Sequence, residues 1–133
     1  MPRHPDYVPH GVILAVLLPF DENLSIDEAA YRAHLRDVSS VEGVCAITTN
    51  AHASEVASCS FEEQRRVLRI TVDEIGARVP IVNGVYAENG LEATRIAKMA
   101  HEGGASALLV FPSGVYTFGQ RPEMALDHFK RIG

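Results

Sequence analysis

The sequence predicts an α/β fold on a parallel sheet, and three observations carry that prediction. Four short apolar runs alternate with four segments of helical periodicity. The runs begin near residues 11, 43, 79 and 106, so each unit takes roughly thirty residues, the usual size of a βα unit. Strict alternation of this kind requires parallel strands joined by crossovers, because the helices must cover the sheet.

The first strand is Gly11 to Leu17 (GVILAVL), a near-continuous apolar run closed by Pro19, as in a strand buried on both faces. Ser25 followed by Glu28 reads as a capping box opening a helix to about Val41. Gly43 to Thr49 (GVCAITT) repeats the buried-strand pattern, and the small and polar residues of NAHASEVAS form the loop after it. Ser60 with Glu63 is a second capping box, and Phe61, Val67, Leu68, Ile70, Val72 and Ile75 supply the apolar face of the helix it opens. Arg78 to Asn83 is the third strand, with Pro80 tolerable near its start. Asn89 caps the third helix with Glu92 at the reciprocating position, and Gly103 and Gly104 end it. Ser106 to Phe111 is the fourth strand, PSGVYTFGQR a loop, and Pro122 sits in the first turn of a helix reaching Ile132.

A length of 133 residues fits one domain, preceded by a polar segment over residues 1–10, and 47 % apolar with 22 % charged residues excludes disordered, collagenous and coiled-coil classes. Seventeen acidic against twelve basic side chains, a net charge of −5, has the wrong sign for a nucleic-acid surface. Cys45 and Cys59 are too few for a disulfide framework and read as buried free thiols. The stretch MPRHPDYVPH lacks the apolar core of a signal peptide, and no run is long enough to cross a bilayer. The expectation is a cytoplasmic protein without nucleic-acid or membrane partners.

No Gly-rich phosphate fingerprint lies between any strand and helix, so a nucleotide site loses its strongest argument. In parallel α/β sheets ligands gather at the carboxyl ends of the strands: here 19–23, 50–59, 84–88 and 112–121. His52 and Glu55 make a His-x-x-Glu pair, short of the three or four ligands a zinc site needs, so no metal is expected. Asp21 and Glu22 resemble the acidic pair of a phospho-acceptor domain, but the third strand ends in Asn83 where such a domain places its aspartate; they read as a solvated turn. Phe111, Tyr116 and Phe118 read as aromatics packed on the rim, and His4, His10, His34, His101 and His128 as surface or helix-terminal residues.

The segments LLPFDENLSID, GVCAITTNAHASE, SFEEQRRVL, RVPIVNGVYA and ALLVFP, in this order and spacing, resemble the first half of the dihydrodipicolinate synthase and N-acetylneuraminate lyase family. The resemblance runs almost end to end and implies the N-terminal half, four βα units, of a TIM (β/α)8 barrel. It further implies a lyase or aldolase acting on a 2-oxo acid through a lysine imine, with no separate cofactor. The family carries Gly-Thr-Thr-Gly-Glu after the second strand, whose threonines bind the substrate carboxylate. Matching on Glu55 sets Ala51 and Ser54 at the glycines and His52 and Ala53 at the threonines, so both hydroxyls are missing. The substrate-binding candidates are accordingly Asn50, His52, Ala53, Ser54, Glu55 and Asn83, with the ring of His52 and the amides of Ala53 and Ser54 left to hold a carboxylate.

After the fourth strand the family has a Pro-Tyr-Tyr segment that lends a tyrosine to a neighbouring subunit; here Ser113 and Gly114 follow Pro112, and Tyr116 is the catalytic substitute. The only lysines, Lys98 and Lys130, lie in predicted helices, whereas a barrel nucleophile projects from a strand end; the imine lysine is expected beyond this chain. A barrel takes about 250 residues, and half of one leaves open edges. The expectation is therefore a portion of a longer protein, a partner of a complementary half-barrel, or a homo-oligomer. The alternative is a catalytically inactive binding or interaction module, and an open flavodoxin-like sheet is disfavoured by the missing fifth strand.

Overall fold

Helix starts are set by side chains that satisfy the first free amides. A computed structural model describes all 133 residues. Helix α2 (Phe61–Glu74) opens on the predicted capping box: the Glu63 amide donates to Ser60 Oγ, and the Ser60 amide donates to the Glu63 carboxylate at 2.7 Å. Helix α3 (Gly90–Glu102) is capped by Asn89, which accepts from the Glu92 amide at 2.9 Å, while the Glu92 carboxylate turns to Arg95 instead of reciprocating. Helix α4 (Pro122–Ile132) carries Pro122 in its first turn.

Helix α1 (Glu28–Ser39) departs from the expectation. Its cap is Asp27, which accepts from the Ala30 amide at 2.9 Å. Ser25 is tied into the preceding turn, where its amide and that of Asn23 both donate to the Asp21 carboxylate, so Asp21 organises a turn as the sequence suggests. Glu28 is then free to accept from Arg32 and Arg66.

The strands are β1 (Val12–Ala15), β2 (Val44–Thr49), β3 (Ile81–Val85) and β4 (Ala107–Val110), all parallel in the order β1-β2-β3-β4. Pairing of Leu14 with Ile47, Ile47 with Ile81 and Val85 with Val110 puts these residues on the helix-facing side, where a 21-residue core includes Tyr31, Leu35, Ile47, Leu68, Ile81 and Ile96. By the same alternation Ala15, Ala46, Thr48, Val82, Gly84, Ala107 and Leu109 point to the opposite face. The central strand β3 is wholly buried, but β1 is not: Val12 is 56 % exposed, and Ile13 and Ala15 are exposed with it. The predicted double burial fails there because β1, like β4, is an edge with one neighbour and no second layer over its other face.

Helices α1 and α2 are joined by charge and by a buried hydroxyl relay. Arg32 bridges Glu28, Asp73 and Glu74, and Arg66 also reaches Glu28. Beneath them, Thr71 Oγ1 donates to the Val67 carbonyl, so it accepts from the Tyr31 hydroxyl at 2.8 Å, which in turn accepts from Thr49 Oγ1 at 2.9 Å. This fixes helix to helix and helix to strand. The N-terminal segment is no loose tail: the Arg3 amide donates to Gly104 O and His4 Nε2 to Gly76 O at 3.0 Å, binding it across the ends of α2 and α3. No helix is long and apolar enough to cross a membrane.

Candidate functional site

The chain leaves β2 through Asn50, a non-glycine residue in the left-handed region (φ 52°). That conformation folds the Asn50–Ala51 peptide over the end of β3. A Cβ built on Gly84 would lie 1.9 Å from the Asn50 carbonyl oxygen, so only glycine admits this crossing. The crossing is locked from behind: Asn50 Nδ2 donates to Asn83 Oδ1 and to the Gln64 carbonyl, each at 2.9 Å.

Asn50 and Asn83 are thus buried on the side of α2, where strand alternation also puts Asn83 beside Ile81 and Val85. The lining role expected for them gives way to a supporting one, because their amides are consumed in holding the turn. Gln64 completes this buried amide group by donating to the Cys59 carbonyl at 3.1 Å.

Beyond the crossing, His52–Ser54 is one turn of 3-10 helix. His52 is exposed, and its ring stacks on Phe111 at 4.3 Å and 27°, with Tyr86 edge-on to it at 5.5 Å. Tyr86 and Phe111 are themselves 6.2 Å apart at 72°. The ends of β2, β3 and β4 therefore converge in one aromatic cluster. Phe111 was expected to pack on the rim and does so, but its partner is His52, which no sequence spacing announces.

Ser54 is buried; its hydroxyl donates to the Val16 carbonyl at 2.8 Å, pinning the turn to the end of β1. Its amide is taken by the Ala51 carbonyl at 3.0 Å, so the expected Ala53–Ser54 amide cradle is reduced to Ala53, whose amide stays unpaired. Glu55 is exposed in the left-handed region (φ 57°), and its carbonyl accepts from the Ser58 amide. Burial pushes the Cys59 thiol up, with Glu63 and Glu55 adding to the effect, so this cysteine stays a protonated thiol at neutral pH.

The loop after β4 turns away from this cluster. Tyr116 donates its hydroxyl to the Met124 carbonyl at 3.0 Å and sets its ring edge-on to His128. In this chain the tyrosine offered as the catalytic substitute spends its hydroxyl on a local bond to the start of α4. Phe118 packs on nothing and is 93 % exposed, against the packed role expected. His128, read as a surface residue, is buried and donates from Nε2 to the Phe111 carbonyl at 3.2 Å, supporting the strand end that carries the stacked ring. The loops after β3 and β4 are joined by Glu88, whose carboxylate accepts from the Val115 amide at 3.0 Å.

Thr48 carries no sequence signal that sets it apart from its neighbour Thr49. Pairing with Ala15 and Val82 turns Thr48 to the face opposite the helices, where it is buried, while Thr49 turns to Tyr31. Lys98 and Lys130 are on the exposed surfaces of α3 and α4, not at strand ends.

The sequence profile of the Dihydrodipicolinate synthetase family matches residues 8–133. The 4-hydroxy-tetrahydrodipicolinate synthase of Syntrophus aciditrophicus is 36 % identical over 124 residues, covering 92 % of this chain and 40 % of that protein. The crystal structure of dihydrodipicolinate synthase from Agrobacterium tumefaciens superposes with a TM-score of 0.82 at 26 % identity, over 92 % of this chain and 40 % of that one. CdNal from Clostridium difficile, solved with mannosamine, shares the fold with a TM-score of 0.85 at 24 % identity, over 92 % and 41 %. The chain spans about 40 % of the length of these relatives.

Proposed function

The chain belongs to the dihydrodipicolinate synthetase family, and from that premise we propose that it is the N-terminal portion of a lyase or aldolase that handles a 2-oxo acid through a lysine imine. Its four βα units form half of a (β/α)8 barrel. The observation that carries the reading is the Asn50–Glu55 turn, folded over the carboxyl ends of the strands where barrels of this type bind their ligands. There the His52 ring and the unpaired Ala53 amide take the place of two hydroxyls and donate to the substrate carboxylate. Glu55 shapes the turn through its backbone. The lysine comes from βα units outside this chain, and those units cover the open edges of β1 and β4.

In the reaction the lysine amine adds to the 2-oxo carbonyl and expels water. The resulting imine draws electrons from the adjacent carbon, so a carbon–carbon bond there can form or break. Donors at the carboxylate hold the adduct in position. The test is borohydride trapping: the intact protein, treated with pyruvate and sodium borohydride, should gain the mass of one reduced adduct on a lysine other than Lys98 or Lys130. Absence of an adduct overturns the reading.

The absence of both hydroxyls favours one other reading, a binding or interaction module without catalysis. It predicts ligand binding or partner capture with no trapped adduct.

A further inference from the structure

Three rings meet at the strand ends, and none of them serves the core. His52 is exposed, Tyr86 and Phe111 are half-buried, and neither Tyr86 nor Phe111 belongs to the hydrophobic cluster between sheet and helices or to the side chains packed against it. Core packing therefore does not account for them. What holds them is a built support. The Asn50 crossing over Gly84 sets the height of His52, the Asn83 and Gln64 bonds lock that crossing, and His128 fixes the Phe111 carbonyl.

The result is a rigid π-surface at the mouth: His52 lies nearly parallel on Phe111 at 4.3 Å, and Tyr86 closes one side edge-on. Below it Leu109 is the exposed side chain of that face, since Thr48 and Val82 are buried and Gly84 lies under the Asn50–Ala51 peptide. Such a surface rewards a flat, polarisable group and gives little to a chain of hydroxyls.

From this geometry we infer that the site selects a 2-oxo acid whose remaining part is aromatic or conjugated and lies on the ring faces of the His52–Phe111 pair, with Tyr86 at its edge. The carboxylate meets the Ala53 amide and an N–H at the edge of the His52 ring. The inference rests on the proposed 2-oxo acid chemistry and adds the substrate class to it. A polyhydroxylated sugar acid is the class it excludes.

The test compares three 2-oxo acids as ligands of the intact protein: pyruvate, phenylpyruvate and 3-cyclohexyl-2-oxopropanoate, which matches the phenyl compound in size without its π-face. Binding is read from the NMR shifts of the 13C-labelled histidine rings. Phenylpyruvate should bind about fivefold or more tighter than either other acid and move the His52 signal upfield. Phe111→Leu and, separately, Tyr86→Leu should each remove most of that preference; two variants guard against one that folds poorly.

Equal affinity of the phenyl and cyclohexyl acids overturns the inference while leaving the 2-oxo acid reading intact. A preference that survives both substitutions also overturns it, since the ring is then bound elsewhere. If no 2-oxo acid binds, the proposed function falls, and benzyl alcohol decides the wall separately: a His52 shift lost in Phe111→Leu supports it, and no shift overturns it.

Discussion

Gly84→Ala tests the link between sheet and site most sharply. The added methyl would sit 1.9 Å from the Asn50 carbonyl oxygen and 2.6 Å from its carbon, both backbone atoms that cannot rotate away. The Asn50–Ala51 peptide must lift by at least about 1 Å to reach even the shortest contacts that real Cβ atoms make. That movement breaks the two 2.9 Å bonds from Asn50 Nδ2 and raises His52 off Phe111. Two buried hydrogen bonds and the overpacking together amount to about 2–4 kcal/mol. Urea unfolding of the intact protein, followed by circular dichroism, should show that loss, and the His52 ring signals should lose the Phe111 ring current. A stability within about 0.5 kcal/mol of the parent, with unchanged His52 signals, refutes the crossing as the device that places the ring.

Other perturbations probe the scaffold. Asp27→Ala should destabilise the protein by about 1 kcal/mol in urea unfolding whereas Ser25→Ala should not shorten α1, which separates the observed cap from the one the sequence suggests. Tyr31→Phe interrupts the relay from Thr49 to Thr71 and should lower stability by about 1–3 kcal/mol in the same assay, because it leaves a buried donor unpaired. Burial raises the Tyr31 hydroxyl above its ordinary value, so its contribution is full below the unfolded tyrosine pKa of about 10 and is lost as pH rises through the folded one; Tyr31→Phe should flatten the alkaline limb of the urea midpoint against pH. Arg66 and Arg32 hold the Glu28 carboxyl below the usual carboxylate range, and Arg32 and Arg36 do so for Glu74. Their contribution is present above the unfolded glutamate pKa of about 4.3 and is lost as pH falls through the lower folded values; Arg32→Met should flatten that acid limb, and an unchanged slope counts against the network.

The amino-acid sequence by itself determined what depends on near neighbours along the chain. The βα alternation follows from apolar periodicity, and the Ser60–Glu63 box and the Asn89 cap follow from contacts three residues apart. The family resemblance likewise located the turn at His52–Glu55. The tertiary structure alone decided the phase of each strand, since a shift of one residue exchanges its two faces: Thr48 turns to the face opposite the helices, while Asn50 and Asn83 turn to α2. It also decided that Asp27 caps α1, because Asp21 claims Ser25, and that Tyr116 bonds back to Met124. The stack of His52 on Phe111 joins residues 59 positions apart, on turns leaving β2 and β4, and arises only when the parallel sheet brings those strand ends to one side.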